Sequence, residues 1–364
     1  MKGQKRIRDY NITIGSFQTG KKNAITDVDG VKVGHVTLNN QEVKTGVTVI
    51  LPHSRNLFEE KLFAAAHVIN GFGKAMGTIQ IQELGTIETP IALTNTFSIG
   101  EVSSALIDYM LATNEDIGRT TGTVNPVVCE CNDGFLNDIR GKHVKKHHVL
   151  EAIEKADVSF EEGAFGAGTG MSCYGLKGGI GSASRVIRFG NKIYSIGALV
   201  LTNMGKNADL IIDGRAIGQE ILPVVSEQGC QSDTGSIIII LATDIPLTER
   251  QLNRICKRAA VGVNRTGSHI DSGSGEIVIG FTTANCVQHY RKEIINAVWF
   301  LHEDEIGDVF RAVVESTEEA ILNSMITAEE TIGRNGNRRQ SLKEYIHLNQ
   351  RRAAMNSQNG IVGE

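Results

Sequence analysis

Three short stretches of the chain carry residue types that could perform acyl-transfer chemistry. In the first, Thr234-Gly235-Ser236 stands directly before the run Ile237-Ile238-Ile239-Ile240-Leu241-Ala242. A run apolar on both faces implies a strand in the middle of the molecule, and a serine at its start is held rigidly. Gly235 has no Cβ to forbid an unusual backbone at that point. Cleavage of the 235–236 bond would give Ser236 a free α-amine, whose ordinary pKa of about 7.7–8.0 lets it accept the hydroxyl proton without a histidine. In the second stretch, Ser272-Gly273-Ser274-Gly275-Glu276 leads into a strand expected over 274–282. Ser274 and Glu276 would then share a face, where a hydroxyl and a carboxylate can orient and relay protons. In the third, Asn203 closes a strand expected over 192–202 and could donate its amide to an oxyanion. Singly, each has a plainer reading: a serine that starts a strand, a solvated strand entrance, a turn asparagine. Together they offer a nucleophile, a supporting polar pair and an oxyanion donor.

Other chemistries fit the sequence less well. The glycine-rich stretch 163–185 contains Gly170-x-x-x-x-Gly175, but Leu176-Lys177 follow where a phosphate loop needs Lys and then Ser or Thr. Met171 stands where a dinucleotide loop needs its third glycine. A turn-rich connection or a wall of a substrate cleft is left for that stretch. His143, His147 and His148 lie among lysines at a helix start, with no acidic residue at zincin spacing. Cys129 and Cys131 on one strand face read as buried structural thiols. No metal and no cofactor is expected. Nor does a Gly-x-Ser-x-Gly elbow occur on a strand-to-helix turn.

The elements that must hold these residues are visible in the periodicity. Helices are expected at 57–69, at 101–112 behind a Ser98…Glu101 capping box, and behind a Thr248…Gln251 capping box. A last helix carries Ile306, Val309, Phe310, Val313, Val314, Ala320, Ile321 and Met325 on one face. Strands 184–189 and 192–202 flank the turn pair Gly190-Asn191. Sheets apolar on both sides together with long helices suggest sheet packed on sheet with helices outside, an α/β architecture. The 364 residues carry 37 Lys+Arg against 41 Asp+Glu, so a net charge of −4 offers no field for nucleic acid. No run of about 18 apolar residues suggests a membrane span, and the charged start MKGQKRIRDYNITIG lacks the apolar stretch of a secretory signal. A soluble cytoplasmic protein is expected, without nucleic-acid or membrane partners. From Gly333 the chain turns basic, and residues 333–364 are expected to form a peripheral or disordered tail.

Six blocks carry a family likeness: NAITDVDGVKVGHVTL (23–38), ECNDGFLND (130–138), GTGMSCYGLKGGIGSASR (168–185), ALVLTNMG (198–205), TGSIIIILATDIPL (234–247) and SGSGEIVIGFTTAN (272–285). In this order the chain resembles the L-aminopeptidase/D-esterase and β-peptidyl aminopeptidase family of self-processing N-terminal nucleophile hydrolases. The resemblance implies a four-layer α/β/β/α sandwich similar to that of ornithine acetyltransferases, formed by a single catalytic domain over 1–332. It also implies self-cleavage between Gly235 and Ser236 into chains 1–235 and 236–364, which stay together in a homotetramer. Ser236 maps onto the nucleophile, Ser274 and Glu276 onto the supporting pair, and Asn203 onto the oxyanion donor. The implied reaction releases N-terminal residues, D- or β-residues included in some members, from small peptide, amide or ester substrates. Glu130 or Asp133, in the 130–138 loop, would supply an anion for the substrate ammonium. Phe135 stands where some relatives have a tyrosine, so a hydroxyl contact with substrate is missing. The rival readings are an acetyltransferase resembling the ornithine enzymes, against which the serine counts, and an unprocessed, non-catalytic small-molecule-binding member.

Overall fold

A computed structural model describes residues 3–221 and 235–346. Thr234 and residues 347–364 of the basic tail lie outside the described residues. In chain order, strands β1 (Lys32–Asn40) and β2 (Val43–Leu51) form a hairpin, and β3 (Glu60–Gly71), β4 (Ala75–Met76), helix α1 (Thr78–Leu84), β5 (Thr86–Ile87) and β6 (Ile91–Asn95) follow. Helix α2 (Ile99–Thr113) leads to β7 (Val127–Cys131) and α3 (Lys146–Glu154). The short ribbon β8 (Ser172–Cys173) and β9 (Leu176–Lys177) precedes β10 (Gly179–Phe189), β11 (Lys192–Asn203) and α4 (Ile217–Ile221). Then come β12 (Ser236–Thr243), α5 (Glu249–Arg265), β13 (Gly275–Gln288), α6 (Ile306–Ile326) and a closing ribbon, β14 (Thr331–Ile332) with β15 (Arg338–Arg339).

The main strands build a five-stranded sheet in the order β1-β2-β6-β7-β4 and a six-stranded sheet in the order β10-β11-β12-β13-β3-β5. Three cores separate four layers. Val102, Ala105 and Leu106 of α2 and Val149 and Ala152 of α3 pack on Val47, Val49, Ala92 and Val128 of the first sheet. Leu252 and Ile255 of α5 and Val309 and Val313 of α6 pack on Ile237, Ile239 and Leu241 of β12. The other face of β12, Ile238, Ile240 and Ala242, meets Cys129, Cys131 and Leu93 between the sheets. A two-residue period in a run apolar throughout thus feeds two cores at once.

Several expected elements form as read. The hairpin closes around Gly190-Asn191, and Thr248 caps α5 by accepting from the Gln251 N–H while the Gln251 side chain returns to the Thr248 N–H. The helix expected at 57–69 is instead β3. Its Leu62, Ala64 and Ala66 face the inter-sheet core and its Ala65, Phe63 and Ile69 the helix-side core. Pairing with β13 on one side and β5 on the other overrides the helical propensity of the alanine run. Ser98 caps nothing with its side chain; Asn95 does so, one turn earlier, by accepting from the N–H groups of Phe97 and Ser98. The tail expected from residue 333 is no periphery over its first part, since Arg339, Leu342, Tyr345 and Ile346 are buried.

The N-terminal strap is tied to α6 and β10 by a buried ion network. Arg185 of β10, fully buried, donates from Nη2 to Glu319 (2.7 Å) and to the Ile14 carbonyl (2.7 Å), and from Nε to Glu315 (3.1 Å). Glu315 also accepts from the N–H groups of Ser16 and Phe17, and Glu319 from Arg8. Burial pushes both carboxyls up, but the hydrogen bonds and the Arg185 charge outweigh it and leave both below the usual carboxylate range. A carboxylate depressed in this way binds fewer protons folded than unfolded. Its stabilisation is therefore complete above the unfolded value of about 4.3 and is lost as pH falls through the lower folded value. Arg185→Met, which takes the shared buried cation from two carboxylates and leaves Glu319 to Arg8 and Glu315 to Arg311, is expected to cost about 3 kcal/mol near neutral pH in urea unfolding. The deficit should shrink as the pH approaches 4 and those groups take up protons.

Candidate active site

The register of three strands assembles the site. Asn203, at the end of β11, lies opposite Ser236, and Ser236 lies opposite Gly275, at the start of β13. Paired residues send their side chains to one face of a sheet. Two residues further along each strand, Leu201, Ile238 and Ile277 all belong to the inter-sheet core, so the side chains of Asn203 and Ser236 face the first sheet as direct neighbours. Both are buried down to a remnant, 9% and 7% exposed, at the open ends of their strands. The Ser236 hydroxyl accepts the Gly275 N–H at 3.1 Å. The Asn203 side-chain oxygen accepts the Ser172 N–H at 2.9 Å, so the Nδ2 end is the donor that Asn203 can offer a substrate oxygen.

Gly235 is required by space. A Cβ there would sit 2.1 Å from the Asn203 carbonyl oxygen and 2.8 Å from the Met204 Cα, so the residue before the serine is pressed against the end of β11.

Ser274 and Glu276 flank Gly275, the partner of Ser236, but in an arrangement other than the shared strand face expected. The strand opens only at Gly275. Ser274 belongs to the preceding turn, where its hydroxyl and its N–H both donate to the Asp271 carbonyl, at 2.6 and 3.1 Å. Glu276 is buried and stands beside Ile237 in the ladder, at the point where the pairing of β13 with β3 shifts register. Asn70, which no sequence signal marks, clamps this turn by donating to the Asp271 carbonyl at 2.9 Å and to the Ser274 carbonyl.

The 72–74 segment forms one wall. A Cβ on Gly275 would lie 2.5 Å from the Gly73 nitrogen, so two backbones touch beside the serine. The next N–H, that of Lys74, donates to Glu130 at 2.9 Å, and the Thr96 hydroxyl holds the other oxygen of that carboxylate. Glu130 is thereby fixed and buried behind Gly73 near the end of β7. Asp133 is fully buried and serves the turn itself: Asn137 donates to its carboxyl at 3.0 Å, and the N–H groups of Leu136 and Asn137 bond its carbonyl. Burial pushes its pKa up to about 7. Phe135 is half-buried with the Arg339 guanidinium stacked 3.6 Å from its ring centroid. Among the described residues no group of three or more His, Cys, Asp or Glu side chains could hold a metal ion. Cys129 and Cys131 are buried thiols, and burial raises the former to about 12.

Comparison with known proteins places this arrangement. Residues 23–339 match the model of peptidase family S58. The chain is 37% identical over 354 residues to the β-peptidyl aminopeptidase BapA of Sphingosinicella microcystinivorans, a match that covers 91% of this chain and 88% of the relative. Among solved structures, the PH0078 protein of Pyrococcus horikoshii OT3 superposes with a TM-score of 0.92 at 52% identity, over 96% of this chain and 99% of that one. The L-aminopeptidase D-Ala-esterase/amidase of Ochrobactrum anthropi, described as a prototype for the serine aminopeptidases with a variant of the Ntn hydrolase fold, superposes with a TM-score of 0.89 at 36% identity, over the same shares. The four-layer architecture is therefore that of this hydrolase fold.

The contact of Gly275 with Gly73 yields a prediction. Gly275→Ala should push the 72–74 wall outward, cost about 1–3 kcal/mol in thermal unfolding and depress turnover, because the N–H that meets Ser236 moves with it. Unchanged melting and turnover would show that the two backbones have room to part.

Proposed function

The chain belongs to peptidase family S58, the serine aminopeptidases, and from that premise we propose how its own residues perform the reaction. The observation that carries the reading is the pairing of Asn203 with Ser236 on one sheet face, with Gly235 pressed against the same strand end. In the uncut chain the Ser236 hydroxyl adds to the Gly235 carbonyl, and the 235–236 C–N bond breaks. An ester joins Gly235 to the serine oxygen and the Ser236 amine is set free. Water hydrolyses the ester and leaves chains 1–235 and 236–364 associated.

The freed amine then serves as base. It takes the hydroxyl proton as Ser236 attacks a substrate carbonyl and returns it to the leaving amine or alcohol. Water next releases the acylated residue from the serine. Asn203 donates to the tetrahedral oxyanion, a contact worth about 10²–10³ in rate. Glu276, from the start of β13, and Ser274, from the turn before it, orient the amine. Glu130 receives the ammonium of the N-terminal residue, while Asp133 shapes the turn that bears Phe135. The Sphingosinicella relative is named a β-peptidyl aminopeptidase and the Ochrobactrum protein an L-aminopeptidase D-Ala-esterase/amidase. Small peptides, amides and esters with a free amino end, α or β, are the proposed substrates. Intact mass under denaturing conditions is the test. Wild type should give two pieces that meet at 235/236, and Ser236→Ala a single 39.4 kDa chain. A wild type that stays whole would remove the base on which the mechanism depends.

We also propose self-association into a homotetramer. Beyond β13 the 289–300 segment presents Ile294, Ile295 and Trp299 at 86%, 88% and 79% exposure, with Phe300 and Val298 beside them. An apolar group of this size is of the kind that protein contacts cover. Ile295→Asp with Trp299→Asp should shift the mass in light scattering from four protomers to a smaller species, whereas an unchanged mass would place the contact elsewhere.

A further inference from the structure

We propose that Arg339, acting through Ser172, is a positioning residue for the oxyanion donor, and that the glycine-rich segment around Ser172 is built to aim Asn203. The inference rests on the assignment of Asn203 made above. A side-chain amide turns about a broad two-fold torsion, so it becomes a fixed donor only when its oxygen is held. Here the holder is the Ser172 N–H, at 2.9 Å from Oδ1.

Ser172 is itself gripped from two sides. Arg339 donates from Nε to the Ser172 hydroxyl at 3.1 Å and sits over the Phe135 ring. Lys177, fully buried, donates to the carbonyls of Gly168 (2.9 Å), Met171 (2.9 Å) and Gly178 (2.8 Å), which lie on both sides of Ser172 in the chain. An ammonium has three donors and no acceptor, so three carbonyls use it completely. The Lys177 N–H is in turn bonded to the Gln340 carbonyl at 2.8 Å, next to Arg339. Desolvating a lysine and an arginine is costly unless their donors are used, and the donors named here converge on the loop that holds Asn203. Phe135 takes part as the platform under the guanidinium, a role that needs a ring and no hydroxyl.

The test uses full-length chain with Asn203→Ala, Arg339→Met, Ser172→Ala, Ser172→Thr and the Asn203→Ala/Arg339→Met pair. Two readouts are taken: the first-order rate of 235/236 cleavage by intact mass, and kcat and KM per cleaved chain on alanine and β-alanine p-nitroanilides. Arg339→Met and Ser172→Ala are each expected to lower cleavage and kcat about 10- to 100-fold, as a small misplacement of a catalytic group does, with KM and melting temperature held. Ser172→Thr, which keeps the hydroxyl, should recover most of the rate. In the Asn203→Ala background Arg339→Met should cost nothing further. Arg339→Met or Ser172→Ala at wild-type rates, or losses that multiply with that of Asn203→Ala, would overturn the positioning role and leave Asn203 in place. An Asn203→Ala chain that cleaves and turns over normally would overturn the underlying assignment instead.

Discussion

Everything at the site hangs on one constraint, the register of β12 between two neighbours of opposite direction. The antiparallel ladder to β11 sets Asn203 across from Ser236, and the parallel ladder to β13 sets Gly275 on its other side. A slip of one residue on either side would turn a side chain to the wrong core. The slip is resisted by the two apolar sets of β12, which already fill different layers. Ser236 is thus aligned by hydrophobic burial before any polar contact acts on it.

Around that register the structure places groups for which burial is expensive and uses their donors and acceptors. Arg185 ties the N-terminal strap to α6, Lys177 closes the loop at Ser172, and Glu130 is held by a backbone N–H and a hydroxyl. The first is distant from the chemistry and serves the packing of layers. The other two lie beside the site, buried with their hydrogen-bonding groups already engaged, so neither needs to rearrange when a substrate enters.

The architecture was largely legible in the sequence, and the reasons differ by element. The central strand, the hairpin and the Thr248 cap announce themselves in adjacent residues, because a two-residue turn and a capping box are local devices. β3 is not legible in this way: its apolar residues serve two cores, and Ala64-Ala65-Ala66 favours helix until a partner strand is present. Ser236 was recognisable only beside the family likeness, since a lone serine before an apolar strand is ordinary. Asn70 and Arg339 left no signal at all, for each works on residues far along the chain; Arg339 and Ser172 are separated by 167 positions. Basic composition made the segment after Gly333 look peripheral, yet Leu342, Tyr345 and Ile346 anchor it in the helix-side core.

The strand order of the larger sheet bears on what the proposed cut at 235–236 would do to the molecule. Strands β12 and β13 lie between β11 on one side and β3 on the other, and both flanking strands precede the cut. The later fragment is therefore interleaved with the earlier one, hydrogen-bonded along both of its edges. Among the described residues, the larger sheet offers no single seam along which the two pieces could part. Their separation would require the six-stranded sheet to open at two seams at once, so dilution alone should not unmake the pair, and its lifetime would be that of the fold itself.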